Sequence, residues 1–450
     1  MFALFTSSFI ESLLLRFFSE GVVNYVIFPF IQILVVVNAV AVYALYATYA
    51  ERKISAFMQA RLGPMRVGPY GIAQPFADAI KLLTKEDLMP EKADPYIFRF
   101  APYASVTATF IVLVVIPYAP SWGIITDLNI AILFLLGVSS VSVLSLILAG
   151  WASNSKYALL GGLRSSAQMV SYEVVMGLSI IGALMFARSL SLAGITTAQD
   201  DDNIWFVFYQ PLALVIFFIS GVAENNRAPF DLPEAESELV AGFHTEYSGM
   251  RWSLFFMAEY AAMVVVSAVA VTLFLGGWWF PGVHWLTVGK LGSETLFIIV
   301  SLLVFVLKLS VLLYIYFWLR WSFPRYRYDQ LMDLGWKWLI PASLINIIWT
   351  AFAIFVVQAM DNWKGIRTIE SLERGLNLTT TGKGIVIAFG WIGLFVALGV
   401  LSQINKRSSD FNLRKQRREI KLVPGNAEAI TGNAGILPAN ERTARVDVSQ

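Results

Sequence analysis

The sequence predicts an all-α protein in which a bundle of helices crosses a membrane. Hydrophobic residues make up 57% of the 450 residues and charged residues only 14%, and the mean hydropathy is +0.65. A water-soluble domain of this length could not bury so much apolar surface. The apolar residues form continuous runs of about 20, which span a bilayer core as helices, rather than the alternating pattern of a membrane β-barrel.

Nine apolar runs are long enough to cross the membrane. Eight form a predicted core domain over residues 22–360, and the ninth is an additional helix within residues 361–405. The nine predicted spans are 22–49, 99–118, 128–150, 168–186, 204–222, 253–274, 296–318, 338–360 and 384–404. We expect residues 1–21 to form an interfacial segment, because charged residues interrupt their apolar stretch. Residues 406–450 are basic and lack apolar periodicity, which predicts a largely disordered tail that contacts membrane lipids.

The connections between the spans differ sharply in positive charge. Lys and Arg number 24 in residues 51–98, 151–164, 224–251, 320–337 and the tail, against 7 in the alternate connections. Since positive charge collects in cytoplasmic loops, this asymmetry predicts an N-terminus outside and a tail in the cytoplasm. The formal net charge of +2 gives no indication of a nucleic-acid partner.

The sequence contains no cysteine and only two histidines, His244 and His284. This composition excludes disulfides, thiolate-bound iron–sulfur clusters and an ordinary Cys/His metal site. We therefore predict no metal site in this chain, and any electron carrier must belong to another subunit.

The third basic-side connection is rich in acids. From residue 224 to residue 246 it carries six carboxylates against a single base, Arg227. The six are Glu224, Asp231, Glu234, Glu236, Glu238 and Glu246. Crowded carboxylates raise one another's pKa and can exchange protons near neutral pH. A solvated acidic loop is the alternative, but the interleaved apolar residues favour a partly buried segment.

Three predicted spans contain charged residues of their own. Glu173 should face the bundle interior, with Tyr172 and the acids of the third loop as neighbours, because an isolated carboxylate in lipid is costly. Glu259 and Lys308 are candidate partners of each other, and for them a structural ion pair is an equally good interpretation.

Two other connections suit a membrane surface or a partner. Phe76, Ile80 and Leu83 recur at helical spacing, which is typical of an amphipathic segment, although an ordinary basic loop also fits. Residues 320–332 mix Arg with aromatic residues. This mixture fits lipid headgroup anchoring, a docking surface or a flat ligand such as a quinone headgroup.

Several long motifs resemble one family in the same order. They are Glu51-Arg52-Lys53, Arg61-x-Gly63-Pro64-x-Arg66-Val67-Gly68, Ser171-Tyr172-Glu173, Pro229-Phe230-Asp231-x-Pro233-Glu234-x-Glu236-x-Glu238, Glu246-Tyr247-Ser248-Gly249, Ala258-Glu259-Tyr260 and Pro324-Arg325-x-Arg327-Tyr328-Asp329. The chain resembles the membrane subunit called H in the bacterial proton-translocating NADH:quinone oxidoreductase, respiratory complex I. That family is the counterpart of mitochondrial NADH dehydrogenase subunit 1.

The resemblance implies a subunit of a proton translocase in the inner membrane of a bacterium, with ubiquinone or menaquinone as substrate. Its partners would be the peripheral-arm subunits, which carry FMN and the iron–sulfur clusters, and small and antiporter-like membrane subunits. The resemblance assigns a proton-coupling chain to Glu51, Glu173, Asp231, Glu234, Glu236, Glu238 and Glu246. It assigns the quinone path to Arg52, Arg61, Phe76 and Phe230.

Three other functions remain open at the level of sequence. The equivalent subunit of a membrane-bound hydrogenase would share the acidic loop without keeping a quinone tunnel. A secondary transporter would use Glu173, Glu259 and Lys308 as ligands, but transporters usually contain repeats and broken helices, and the sequence indicates neither. A purely structural anchor would leave the six acids unexplained.

Overall fold

A computed structural model of the chain describes residues 22–120, 123–232, 240–281, 294–363 and 382–400. Every regular element in these ranges is helical, which confirms the predicted all-α membrane fold. Eight helices are long and apolar enough to cross a membrane. They are Phe28–Met58, Pro95–Val115, Ala131–Ala152, Lys156–Ala187, Gly249–Phe274, Leu296–Ser322, Tyr328–Met360 and Gly382–Val400. The remaining predicted span corresponds to a shorter apolar helix, Pro211–Glu224.

We number the α-helices in chain order. The first seven are α1 Phe28–Met58, α2 Gln74–Thr84, α3 Pro95–Val112, α4 Ala131–Ala152, α5 Lys156–Ala187, α6 Leu192–Asp202 and α7 Phe206–Tyr209. The others are α8 Pro211–Glu224, α9 Gly249–Phe274, α10 Glu294–Ser322, α11 Tyr328–Asp333, α12 Ile340–Trp363 and α13 Gly382–Val400. Short 3₁₀ turns lie at Pro69–Gly71, Leu113–Val115 and Gly242–His244, and π-helical turns at Val23–Ile27 and Leu334–Leu339.

The chain separates into two compact units, Met1–Leu394 and Phe395–Gln450. Of the second unit the structure describes only residues 395–400, the last turns of α13. The predicted interfacial segment 1–21 and the predicted tail 406–450 lie outside the described residues. The predicted division into domains therefore stays a prediction.

Helix starts follow local sequence signals. Asp94 precedes Pro95 and accepts hydrogen bonds from the backbone N–H groups of Tyr96 at 3.0 Å and Ile97 at 3.3 Å. Proline suits the first helical position because the N–H it lacks would have no partner there. An aspartate N-cap of this kind stabilises a helix by about 1 kcal/mol.

Two helices extend further than the apolar runs predict. Helix α1 continues to Met58, so Glu51, which we assigned to a loop, lies on its last turns. Helix α5 begins at Lys156 rather than residue 168. Its polar first half is held by tertiary contacts: a Cβ on Gly161 would lie 2.6 Å from the Cα of Gly242. The Arg164 guanidinium also lies 5.9 Å from the ring centre of Tyr328.

The fifth predicted span is interrupted. Residues 204–222 were expected to form one helix, but α7 ends at Tyr209 and α8 begins at Pro211. Proline lacks a backbone N–H and disfavours the α conformation of the residue before it. Gln210 accordingly has φ −132° and ψ 55°.

The basic connections meet at one end of the bundle. Arg251 Nε lies 2.9 Å from Asp87 Oδ2, and the Tyr326 backbone N–H donates to the Pro229 carbonyl at 3.2 Å. These contacts join the connections 51–98, 224–251 and 320–337. We call this end the basic side.

Lys308 lies at the end of α9 that is remote from the basic side. Its ammonium donates to the carbonyl oxygens of Leu275 at 2.6 Å, Gly277 at 3.0 Å and Trp279 at 2.5 Å. The expected pair of Lys308 with Glu259 is therefore not formed, because the helix from Glu259 to Leu275 spans about 24 Å. Lys308 instead donates hydrogen bonds to carbonyl groups at the C-terminal end of α9, where the helix itself offers these groups no donor.

The close approach of Gly161 to Gly242 yields a stability prediction. Gly161→Ala should lower the apparent Tm of the detergent-solubilised protein, since overpacking of this kind costs about 1–3 kcal/mol. Gly137→Ala is the matched control, because a Cβ at this helical glycine meets nothing within 4 Å. We expect it to leave the Tm unchanged or slightly higher. Equal Tm values for the two variants would contradict the contact.

Candidate functional site

Glu51 lies at the centre of a buried group of charged and aromatic side chains on the basic side. Only 5% of the residue is exposed. The Tyr260 hydroxyl donates to Glu51 Oε2 at 2.6 Å, and Arg320 pairs with Oε1. Arg227 Nη1 lies 3.5 Å from Oε2. Helices α1, α9 and α10 and the loop after α8 thus meet at one carboxylate.

Arg227 joins this group to a second carboxylate. Its Nε lies 2.7 Å from Glu259 Oε1, and its guanidinium carbon lies 4.1 Å from the ring centre of Tyr260. Burial by itself lowers the pKa of Arg227. The neighbouring Glu259, Tyr260 and Glu51 raise this pKa by more than burial lowers it, so the net change is upward. The guanidinium therefore stays protonated between the two acids, and we call Glu51, Arg227, Glu259, Tyr260 and Arg320 the arginine network.

A cavity of about 280 Å³ opens beside the arginine network on the basic side. Its wall combines the network with the charged side chains of Arg52, Arg61 and Asp231 and the aromatic rings of Phe256 and Trp321. Guanidinium groups and aromatic faces suit a flat ligand with polar oxygens. We call this space the polar cavity.

A second, mainly apolar cavity of about 100 Å³ lies deeper in the bundle. Its polar lining includes Glu224, Glu259 and His244, and its apolar lining comes from helices α3, α4, α5, α8 and α9. Glu224 Oε2 is buried without a hydrogen-bond partner in the described part of the chain. Asn226 and Glu259 line both cavities, so the Arg227–Glu259 pair stands between the polar cavity and this apolar cavity.

Glu173 is half-buried on α5 and faces α4. Ser140 Oγ donates to Glu173 Oε1 at 2.5 Å, and Ser139 Oγ does so at 3.4 Å. Tyr172, expected as its neighbour, points elsewhere and donates to the Leu331 carbonyl at 2.9 Å. Adjacent residues of an α-helix project about 100° apart, which is why the two side chains separate.

The described part of the acidic loop is tightly held. Arg325 Nη2 lies 3.2 Å from Asp231 Oδ2, and the Phe230 ring stacks on Tyr326 with 5.5 Å between ring centres. Gln168 Nε2 donates to the Phe230 carbonyl at 2.9 Å. Phe230 is thus buried and packed. Glu234, Glu236 and Glu238 fall within residues 233–239, outside the described residues, and Glu246 is half-buried just before α9.

The remaining predicted residues lie around the mouth of the polar cavity or on α2. Arg52 Nη1 pairs with Asp78 Oδ2 at 2.7 Å, and Arg61 Nε donates to Gln59 Oε1 at 2.7 Å. Phe76 is half exposed on α2, edge-on to Tyr46 at 6.0 Å. In the described ranges, no three His, Asp or Glu side chains group as metal ligands would.

Sequence reasoning missed several members of the site. Tyr260 stood in one of the family motifs without a role of its own, Arg320 was considered only as part of the Arg-rich aromatic segment 320–332, and Glu224 was counted as a loop acid rather than a cavity residue. One signal was available: Arg227 is the single base among six acids, and a buried site needs a positive partner for its carboxylates.

The fold and the arginine network define a polytopic helical membrane protein with buried carboxylates between a polar cavity and the membrane interior. A family model described as NADH dehydrogenase matches residues 31–351. An H-type subunit of the NADH-quinone oxidoreductase of Koribacter versatilis is 47% identical over 385 residues, covering 71% of this chain and 90% of its own.

Two further relatives agree with this match. An H-type subunit of the Geobacter metallireducens NADH-quinone oxidoreductase is 47% identical, covering 73% of this chain and 96% of its own. Subunit 8 of the Rhodothermus marinus enzyme is 47% identical, covering 71% of this chain and 95% of its own. The chain therefore belongs to the H-subunit family of NADH-quinone oxidoreductase.

Removing Arg227, the central base of the arginine network, should lower the stability of the folded protein. Arg227→Met leaves the buried Glu51 and the partly buried Glu259 with one positive partner fewer, and breaking a buried pair in this way costs about 3–5 kcal/mol. Arg325→Met is the control, since the Arg325 side chain is 43% exposed and such pairs contribute about 0–1 kcal/mol. The measurement is thermal unfolding in detergent.

A double variant separates charge from packing. Replacing Glu259 together with Arg227 (Arg227→Met with Glu259→Met) removes one uncompensated acid, so part of the lost stability should return. Arg227→Met that unfolds at the same temperature as Arg325→Met would refute the network.

Proposed function

We propose that this chain forms the membrane half of a quinone chamber in a proton-translocating NADH:quinone oxidoreductase. The chain carries no redox centre in this proposal. It binds the quinone together with the peripheral arm, and a chain of carboxylates converts the charge change of quinone reduction into proton movement. The names of its relatives, which are subunits of NADH-quinone oxidoreductases, support this assignment.

The observation that carries the proposal is the shared wall of the two cavities. Asn226 and Glu259 line both the polar cavity and the apolar cavity. A negative charge that forms on a quinone in the polar cavity would compete with Glu259 and Glu51 for Arg227. In a low-dielectric site, a change of this kind alters the proton affinity of nearby acids.

The energies are of the right size. Moving one charge against 100 mV takes about 2.3 kcal/mol. A change of two pKa units corresponds to about 2.7 kcal/mol. Modest changes in the proton affinity of Glu259, Glu224 or Glu173 therefore suffice for one translocation step.

The basic side is the docking surface for the peripheral arm in this proposal. Phe57 and Leu62, which follow the cavity-lining residues Ser55 and Arg61 closely in the chain, are 73% and 74% exposed. The polar cavity is slightly smaller than typical ligand pockets of about 300–1,000 Å³. A partner subunit would cover these residues and complete the chamber. The FMN and iron–sulfur clusters belong to such partners, and antiporter-like and small membrane subunits would pack laterally.

The membrane orientation in this proposal rests on the charge asymmetry of the connections. Positive charge on the basic side supports a cytoplasmic location for this side and for the tail, with the N-terminus outside. For a bacterial chain this membrane is the inner membrane.

The transporter alternative loses support, although the interrupted fifth span is a feature that transporters share. Its three proposed ligands have separate partners: Glu259 pairs with Arg227, Lys308 binds backbone carbonyls and Glu173 accepts from serines. The hydrogenase alternative lacks support from the relatives, which are named for quinone.

Neutralising predicted coupling residues tests the proposal. Glu173→Gln and Asp231→Asn, introduced into the assembled complex, should reduce NADH:quinone turnover or proton pumping. NADH oxidation by a water-soluble acceptor should persist, because that reaction does not use the membrane site.

Asp333→Asn is the matched control, because Asp333 is exposed and its ion pair within the described ranges is with its helical neighbour Lys337 at 2.7 Å. It should behave as wild type. Normal turnover together with normal pumping in both Glu173→Gln and Asp231→Asn would exclude the coupling role.

A further inference from the structure

The break in the fifth span creates a packing problem inside the membrane. Helix α8 has 14 residues, which gives a length of about 21 Å, less than the ~30 Å hydrocarbon core. Since its last residue is next to the basic side, its first turn lies at membrane depth. Non-helical backbone is tolerated there only where protein or a polar cavity surrounds it.

The side chain at the break is held by helix α12. Gln210 Nε2 donates to Thr350 Oγ1 at 2.6 Å, and Asn346 Nδ2 donates to Gln210 Oε1 at 2.8 Å. All three residues are buried. On another side, a Cβ on Gly182 would lie 2.8 Å from Gln210 Oε1, so α5 also packs closely against the break.

The backbone at the break is covered by α13. A Cβ on Gly390 would lie 2.2 Å from the carbonyl oxygen of Tyr209, so the two backbones touch and only glycine fits. Next to this contact, Trp349 Nε1 donates to the Phe389 carbonyl at 2.8 Å. Residues 382–394 of α13 belong to the same compact unit as the break.

A further contact fixes the start of α13 to the segment that leads into the break. Lys383 Nζ donates to the Asp202 carbonyl at 2.5 Å and lies 3.3 Å from Asp202 Oδ1. Asp202 ends α6, just before α7. The contacts of Lys383 and Gly390 therefore converge on residues 202–209, which lead into the break.

We infer that the first half of α13 is a cover for the break in the fifth span and excludes water from the first turn of α8. The glycine at position 390 supports this role, because it allows the backbone of α13 to contact the Tyr209 carbonyl at the break. The cover also fixes one end of α8, whose other end carries Glu224 into the apolar cavity.

Thiol labelling tests the cover directly, because the natural chain has no cysteine. Ala213→Cys supplies one reporter in the first turn of α8, at a position that is fully buried. A membrane-impermeant maleimide reacts with the thiolate, which forms only where water reaches. The reporter is combined with Gly390→Leu or with Gly384→Leu in the full chain in its native membrane.

The control is matched because Gly384 lies on the same helix and a Cβ there meets nothing within 4 Å. We expect Gly390→Leu to raise the labelling rate at position 213 by about tenfold or more through local opening. Gly384→Leu should leave it at the low rate of the Ala213→Cys chain. Asp201→Cys places a thiol at an exposed position. Its labelling rate gives the reference for a fully accessible thiol and shows that the maleimide reaches this side of the membrane.

A milder variant covers the case in which Gly390→Leu does not fold. Gly390→Ala adds only the Cβ that meets the Tyr209 oxygen and should give a smaller increase. Unchanged labelling at position 213 in the folded Gly390 variants would overturn the inference. The readout is thiol accessibility, so its failure is distinct from a failure of the proposed quinone chemistry.

Discussion

The guanidinium of Arg227 is the interaction on which the rest of the site depends. Glu51 is buried and Glu259 is partly buried, and these two carboxylates from different helices would repel each other without a positive charge between them. The Tyr260 ring beneath the guanidinium and the Tyr260 hydroxyl on Glu51 complete the arrangement. This arrangement fixes the meeting point of α1, α9 and the loop after α8, and it separates the polar cavity from the apolar cavity.

The surrounding fold holds Arg227 from both directions in the chain. After it, Phe230 is packed against Tyr326 and its carbonyl accepts from Gln168. Before it, α8 begins at a break that α12 and the first half of α13 hold. The loop that carries Arg227 is already held between a short helix and an aromatic stack. A change of charge in the polar cavity therefore requires little reorganisation of this loop. This is the preorganisation that electrostatic coupling requires.

The sequence was sufficient for the fold class and for the motifs that contribute most of the site, because apolar runs and charge patterns are local. It was insufficient to predict which charged residues contact each other. Glu259 and Lys308 are both charges in apolar helices, and only the three-dimensional arrangement separates them by most of a membrane. Glu51 was assigned to a loop because charge ends an apolar run without ending a helix. The break at Gln210 had a readable signal in Pro211, which the uniform hydrophobicity of the span concealed.

The most direct test of the link between the two cavities is the number of protons moved per NADH oxidised in sealed vesicles that contain the complex with Glu259→Gln. This variant keeps Arg227 paired with Glu51 and keeps the polar cavity, so quinone reduction should continue. It removes the acid shared by the two cavities, so the ratio of protons to NADH should fall below that of wild type. A ratio equal to wild type would contradict the account.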